Sequence, residues 1–178
     1  MATSNSRDFD LDVSDIIEEA YERCGLEVRT GYDARTARRS MNLMFADWAN
    51  RGVNLWTVRQ ATITLTNNQA TETLGADVVD LLEVVLRRSN TDFDLTRLSR
   101  GDYLSIPNKT TQGRPSQFFF NRQITPQITL WPTPENSTDQ IVYYYLRRIE
   151  DADALTNNVE LPFRFLPCAV AGMAYYIA

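Results

Sequence analysis

The spacing of apolar residues changes twice along this 178-residue chain. Up to residue 52 apolar side chains recur every three or four positions, which is the period of one face of a helix. Between residues 55 and 150 they alternate with polar residues or form short runs separated by Pro and Gly, as in strands. From residue 162 the helical spacing returns. The chain is therefore predicted to adopt an α+β fold, in which N-terminal and C-terminal helices form a helical bundle with an inserted small antiparallel β barrel or sandwich.

The length suits one domain, because single domains commonly contain about 100–200 residues. We predict a single domain over residues 1–178, with a helical part at 12–52 and 162–178 and a β part at 55–150. Residues 1–11 are mostly polar and lack periodicity, so we expect a flexible arm that becomes ordered only against a partner.

Two helices are predicted in the N-terminal part. The first begins at Asp12 or Ser14 and ends at Gly25, because glycine favours the left-handed conformation that follows a helix. The second is capped by Asp33, carries one apolar stripe and ends at Gly52. Its opposite face is polar and basic, which indicates either a solvated surface or a contact with a neighbouring subunit. The candidate contact residues on this face are Arg35, Arg38 and Arg39.

The inserted part is predicted to consist of short strands. Its first strand has apolar residues at 61, 63 and 65 that alternate with threonines, which indicates one buried and one exposed face. A helical turn is expected at 77–82 and leads into a strand at 82–87. The remaining extended segments are expected at 92–95, 117–121, 127–131 and 140–148.

A long exposed loop is predicted at residues 105–116. This segment contains Pro and Gly and very few apolar residues, and loops of this length usually have a function. Exposure and arginine content make the segment 108–114 a candidate contact with a neighbouring subunit, and its candidate residues are Asn108, Lys109 and Arg114.

Two aromatic runs lie within the predicted strands. Residues 141–146 are apolar on both faces, and alternation places Tyr143 and Tyr145 on the same face. These tyrosines either pack inside the β part or contact a neighbouring subunit. Residues 118–120 are all Phe, and the central ring is expected on the face opposite its neighbours. No basic groove surrounds this run, so stacking on nucleic-acid bases is the less favoured interpretation.

The last helix is apolar on almost all sides. Pro167 suits its first turn, and a helix of this composition is normally buried between other elements. Cys24 and Cys168 are predicted to be reduced and buried. Small residues would allow a neighbouring helix to approach closely, and these are Ala169, Ala171, Gly172 and Ala174.

The composition excludes several classes of function. The chain contains no histidine, which removes Ser-His-Asp and Cys-His catalysis and the usual zinc sites. Neither GxGxxG nor GxxxxGK[ST] occurs, so the common nucleotide cradles are absent. We predict no enzyme activity, no cofactor and no metal. Two carboxylates can suffice for glycoside hydrolysis, and the candidate pairs are Glu18/Glu19, Asp77/Asp80 and Glu150/Asp151. These residues lie where helix-capping or solvated acidic residues are expected, and that interpretation is favoured over a catalytic pair.

Charge and hydropathy point to an aqueous setting. The formal net charge of -5 repels phosphate and argues against tight binding of nucleic acid. No apolar stretch reaches the roughly 20 residues that span a bilayer, and the N-terminus does not resemble a secretory leader. We expect the protein to be made and kept in a reducing aqueous compartment, without contact to a membrane.

The order of several segments resembles a known family. They are FADWANRGVNLW, ATITLT, DVVDLLEVVLRR, GRPSQF, ITLWPTP, VYYYLRRIED and LPFRFLPCAVAGMAYYIA. In this order they resemble the head-to-tail adaptor, or tail tubular protein A-like, subunits of tailed bacteriophages, over residues 12–178.

The resemblance implies a structural virion protein assembled in the host bacterial cytoplasm. It implies a dodecameric ring beneath the portal that extends the DNA channel, lets genomic DNA pass without specific binding and supports tail or nozzle proteins. Two alternatives stay open from the residues alone. They are a virion-associated, carboxylate-based glycan hydrolase and a nucleic-acid binding module.

Overall fold

Four α-helices and ten strands form the regular structure of residues 5–28 and 31–178, the part of the chain that this computed structural model describes. The helices are α1 (Val13–Arg23), α2 (Gly31–Asn50), α3 (Arg100–Ser105) and α4 (Leu166–Ile177). The strands are β1 (Val58–Thr64), β2 (Thr71–Thr73), β3 (Val78–Arg88), β4 (Thr91–Asp94), β5 (Thr96–Leu98), β6 (Gln112–Gly113), β7 (Gln117–Asn121), β8 (Gln127–Trp131), β9 (Thr133–Pro134) and β10 (Gln140–Arg147).

Contacts divide these elements into two units. The α unit comprises the chain up to Trp56 together with Ile149–Ala178, and the β unit is Thr57–Arg148. The α+β fold class is confirmed, since helices from both ends of the chain pack together and the strands lie between them in sequence. That the two units act as a single domain stays a prediction, as does the flexible arm, whose first four residues lie outside the described part.

Helix α1 begins with reciprocal hydrogen bonds at its first turn. The Asp12 carboxylate accepts from the backbone N–H of Asp15, and the Asp15 carboxylate accepts from the N–H of Asp12. The backbone hydrogen bond from Asp15 lowers the pKa of Asp12. Gly25 has a φ of 68° directly after the helix, so the predicted start and stop are both confirmed.

Helix α2 starts earlier than its sequence suggested. It begins at Gly31, so Asp33 lies in the first turn and the prediction that it caps the helix is wrong. An acidic residue there still interacts favourably with the positive end of the helix dipole. The predicted apolar stripe is confirmed, and its fully buried members are Ala37, Met41, Met44 and Phe45.

The core of the α unit forms where α1 and α2 both pack on α4. Ala169 and Met173 of α4 are completely buried, and a Cβ on Gly172 would lie 2.5 Å from the sulfur of Met44. The predicted close helix approach is therefore present at Gly172. Burial on nearly all sides is wrong for α4, because one face is exposed in this chain. That face includes Cys168, which was predicted to be buried, and also Pro167, Ala171 and Tyr175.

The β unit has a sandwich-like arrangement. One antiparallel sheet has the strand order β1-β10-β3-β4, and the second has the order β2-β8-β7-β5. Both contribute side chains to one core, including Leu86 and Ile141 from the first sheet and Phe118 and Leu130 from the second. Two short pairings are parallel, β5 with β7 and β6 with β9. No closed barrel forms in the part of the chain that is described, so the sandwich is the correct form of the prediction.

Strand β3 replaces the helical turn predicted at 77–82. Its register against β10 shifts twice, and Val79 and Leu82 have no partner in that register. These shifts place Val78, Leu81 and Val84 in the core at a spacing of three, which resembles helical periodicity. The apparent helical signal therefore came from two irregularities in a strand.

Helix α3 was not predicted. The Ser99 hydroxyl accepts from the N–H of Asp102, and the Asp102 carboxylate accepts from the N–H of Ser99, so the start of the helix is capped reciprocally. Tyr103 on this helix stacks on Phe119 with ring centroids 5.3 Å apart. Phe119 thus lies on the face opposite the buried Phe118 and Phe120, as alternation predicted.

Candidate assembly surfaces

The three arginines predicted on α2 do not share one environment. Arg35 and Arg39 are exposed, and neither forms an ion pair or side-chain hydrogen bond with any residue that the structure describes. Arg38 is half-buried and its guanidinium donates to the carbonyl oxygen of Asp153. Arg38 therefore ties α2 to the segment after the β unit, whereas the other two are free to contact another molecule.

Asn108 and Lys109 organise the predicted loop from within. The side-chain oxygen of Asn108 accepts from the N–H of Thr110 at 3.0 Å. The backbone carbonyl of Asn108 accepts from the indole N–H of Trp131 at 3.0 Å. Lys109 Nζ donates to the carbonyl oxygens of Leu104 and Ile106. Most of this loop is exposed, as predicted, but β6 interrupts it.

Lys109 also completes an aromatic stack. Its ammonium lies 5.4 Å from the ring centroid of Tyr103, which in turn stacks on Phe119. Arg114 is exposed and makes a similar contact, with its guanidinium 4.4 Å from the ring centroid of Phe93. Each of these cations is thus held by the chain's own aromatic residues, with part of its surface available to a partner.

The two tyrosines of β10 point into the β unit. Tyr143 is 6% exposed and belongs to the core, and this burial raises the pKa of its hydroxyl. Tyr145 is half-buried and packs against the same core, with its ring centroid 5.6 Å from that of Tyr143. Tyr144 faces the other way and is more exposed, although it was not chosen from the sequence.

An acidic groove in the α unit was missed by sequence reasoning. It encloses about 620 Å³ between the N-terminal segment, α1 and α4. Leu166 and Val170 form its apolar side, and Phe9 packs edge-on against Phe163 at its end. Its acidic residues are Asp10, Asp15, Glu18, Glu19 and Glu22.

Glu18 and Glu22 are the unpaired acids of this groove. Glu19 forms a 3.0 Å ion pair with Arg23, which is the basic residue of the groove, and Asp15 serves in the cap of α1. The side chains of Glu18 and Glu22 have no hydrogen-bond or ion-pair partner within residues 5–28 and 31–178. Their spacing of four residues was the signal that could have marked them, since it places both on one helix face.

Apolar residues are also exposed on the β unit. Val79 and Leu82, the unpaired residues of β3, both present their side chains to solvent. Ile124 lies in the turn between β7 and β8 and is almost fully exposed. Single exposed apolar residues are common on monomeric proteins, so their exposure alone does not identify a contact surface.

Several charged groups in the β unit are paired with one another. Arg88 donates to Asp139 and Glu135, and these hydrogen bonds raise the pKa of its guanidinium. Asp80 accepts from both Arg97 and Arg122. These pairs link separate segments of the β unit.

No arrangement that would hold a metal occurs among the residues that can be described, since no three Cys, Asp or Glu side chains converge. In the described part of the chain, no helix is both long enough and apolar enough to cross a membrane. One carboxyl group, Glu72 on β2, has a raised pKa because of burial.

Comparison with protein families shows which family the chain belongs to. The family described as SU10 adaptor protein matches residues 11–178, which is nearly the whole chain. The chain belongs to the SU10 adaptor protein family. The resemblance to phage head-to-tail adaptors is thereby confirmed. The tail tubular protein A-like subtype stays a prediction.

Membership gives this SU10 adaptor a structural role in a bacteriophage virion. Such a role does not require a catalytic site and suits a surface with unpaired charges and exposed apolar residues. No curated protein matches the chain.

Proposed function

We propose that this SU10 adaptor forms a closed, dodecameric ring that connects the portal of the head to the tail and extends the DNA channel. The family match over residues 11–178 carries the proposal. A ring needs each copy to present two different surfaces, because heterologous contacts generate closed cycles. The α unit offers two such surfaces, the basic face of α2 and the acidic groove.

The proposed partners are further copies of the chain, the portal protein and the tail or nozzle proteins. Exposed residues of the loop at 105–116 are the proposed portal or subunit contacts, together with Arg35 and Arg39. Arg114 suits this role because its guanidinium is exposed and already positioned by Phe93. Tyr145 is proposed as a contact through the part of its ring that the core leaves uncovered.

Genomic DNA is proposed to pass through the ring without being bound. The net charge of -5 makes the average potential of each copy negative, which repels phosphates. A wall of this kind lets DNA slide, since tight binding requires neutralising cations along the backbone. The ring is proposed to assemble in the host bacterial cytoplasm and to remain in the virion.

The proposal is tested by disrupting the gene in the phage and examining the particles by electron microscopy. The expected result is DNA-filled heads without tails, together with free tails, and tailed particles return when the intact gene is supplied in trans. Complete, infectious virions made without the protein would contradict the proposal.

A further inference from the structure

Two helices of the α unit carry unpaired charges of opposite sign with the same spacing. Glu18 and Glu22 lie four residues apart on α1, and Arg35 and Arg39 lie four residues apart on α2. Four residues of helix rise about 6 Å, so both pairs separate their charges by similar distances. All four side chains lack a hydrogen-bond or ion-pair partner among the described residues.

Each pair is unfavourable within its own copy. Like charges four residues apart on a helix repel one another. In the groove, Glu19 is paired with Arg23, whereas Glu18 and Glu22 have no cation beside them among the described residues, and Asp10 and Asp15 add further negative charge. A contact that brings the arginines against these glutamates would remove both repulsions together.

Both surfaces also carry exposed apolar residues. Tyr32 and Leu43 are 71% and 59% exposed, and they flank the arginines on the α2 face that points away from the core. The groove offers the exposed rings of Phe9 and Phe163, together with the exposed Pro167 of α4. A smaller cavity of about 200 Å³, bordered by Leu26, adjoins the same two glutamates.

We propose that the exposed face of α2 in one copy docks into the acidic groove of the next copy, with Arg35 and Arg39 opposite Glu18 and Glu22. The inference rests on the proposed ring and names the contact that closes it. The two surfaces differ, so the contact is heterologous and can repeat around a ring. Charge complementarity between two surfaces of one chain favours a second copy over a portal segment as the occupant.

The test uses charge reversals in the phage complementation assay. The α1 reversal carries Glu18→Lys and Glu22→Lys, the α2 reversal carries Arg35→Glu and Arg39→Glu, and the exchange variant carries all four. The control variant carries Glu83→Lys and Asp94→Lys, which are exposed on the β unit and change the net charge as the α1 reversal does. Circular dichroism and thermal unfolding of each purified variant verify that it folds.

Each reversal alone is expected to lower the yield of tailed particles by about tenfold or more, because like charges then face each other at every contact of the ring. The exchange variant is expected to restore tailed particles, since it recreates opposite charges with the original net charge. The control variant is expected to behave as the unmodified chain.

The outcomes separate this contact from the proposed function. Folded reversal variants that restore tails as well as the unmodified chain would overturn the contact and leave the adaptor function intact. Loss of tails with the α1 reversal and no recovery with the exchange variant would also overturn it, and would point to the portal as occupant of the groove. Virions that form without the protein would instead overturn the proposed function.

Discussion

The Arg88 guanidinium holds the Asp139 carboxylate through both Nε and Nη2, at distances down to 2.6 Å. Asp139 is only 2% exposed, and Asn136 donates a further hydrogen bond to it. This pair joins β3 to the turn that precedes β10, and Leu65 donates its N–H to the carbonyl of Asp139. Asp139 therefore connects three segments of the β unit through its carboxylate and its backbone carbonyl.

Replacing Asp139 should destabilise the β unit. Asp139→Asn keeps the shape of the side chain but leaves Arg88 with only Glu135 as an ionic partner. We expect the free energy of unfolding to fall by about 2 kcal/mol, because the partly buried Arg88 guanidinium loses its charged hydrogen bonds to the buried carboxylate. Urea unfolding followed by circular dichroism measures this change.

A matched control is available at the neighbouring arginine of β3. Asp92→Asn breaks the exposed pair with Arg87 and should change the free energy of unfolding much less, because solvent screens an exposed ion pair. If the two substitutions lowered the free energy of unfolding equally, the greater contribution assigned to the Arg88–Asp139 pair would be wrong.

Glu72 should make the protein less stable as pH rises. Burial raises its pKa above the ordinary 4.5, and its Oε1 atom has no hydrogen-bond partner among the residues that the structure describes. The folded state therefore binds this proton more tightly than the unfolded state, so stability falls as pH rises from 4.5 through the raised pKa.

Glu72→Gln removes this ionisation. At pH 7 the variant should melt at a higher temperature than the unmodified chain, and the advantage should disappear below pH 4.5. Thermal unfolding between pH 4 and pH 8 provides the measurement, with the exposed Glu83→Gln as control. An advantage for Glu72→Gln that does not depend on pH would exclude the ionisation as its cause.

Asp12→Ala should destabilise the α unit through the start of α1. The substitution removes the hydrogen bond from the Asp15 N–H and should cost about 1 kcal/mol at pH 7. The pKa of Asp12 is lowered in the folded state, so its contribution is present above pH 3.8 and is lost as pH falls through the lowered value. Chemical unfolding at pH 7 and at pH 2.5 tests both parts, and Glu27→Ala should change neither.

Lys109→Ala should loosen the loop at 105–116. It removes hydrogen bonds to Leu104 and Ile106 and the cation over Tyr103, which together should be worth about 1 kcal/mol. Faster hydrogen exchange at residues 106–111 is expected, measured by mass spectrometry. Arg114→Ala, which instead loses a contact with Phe93, should leave exchange in that segment unchanged.

Local pattern was sufficient for much of the fold. Strands β7 and β8 have the predicted bounds, because alternation and flanking turn residues act over a few neighbouring positions. The ends of α1 followed from Asp12 and Gly25 for the same reason. Helix α3 was not predicted, although Ser99 and Asp102 have the spacing of a capping pair. A helix of six residues is too short to show an apolar stripe.

Other features depended on partners that are distant in sequence. The sequence of strand β3 has the apolar spacing of a helix. That spacing fits a strand only because the register against β10 leaves Val79 and Leu82 without a partner. Arg38 and Arg39 are adjacent in sequence, yet one is held by the carbonyl of Asp153 and the other is free.

The amino-acid sequence by itself determined the α+β class, the family resemblance and the absence of histidine chemistry, because these depend on composition and local order. The tertiary structure alone decided which charges remain unpaired. The acidic groove exists only because α1 packs against α4, about 150 residues further along the chain, and such packing is a property of side-chain shape in three dimensions.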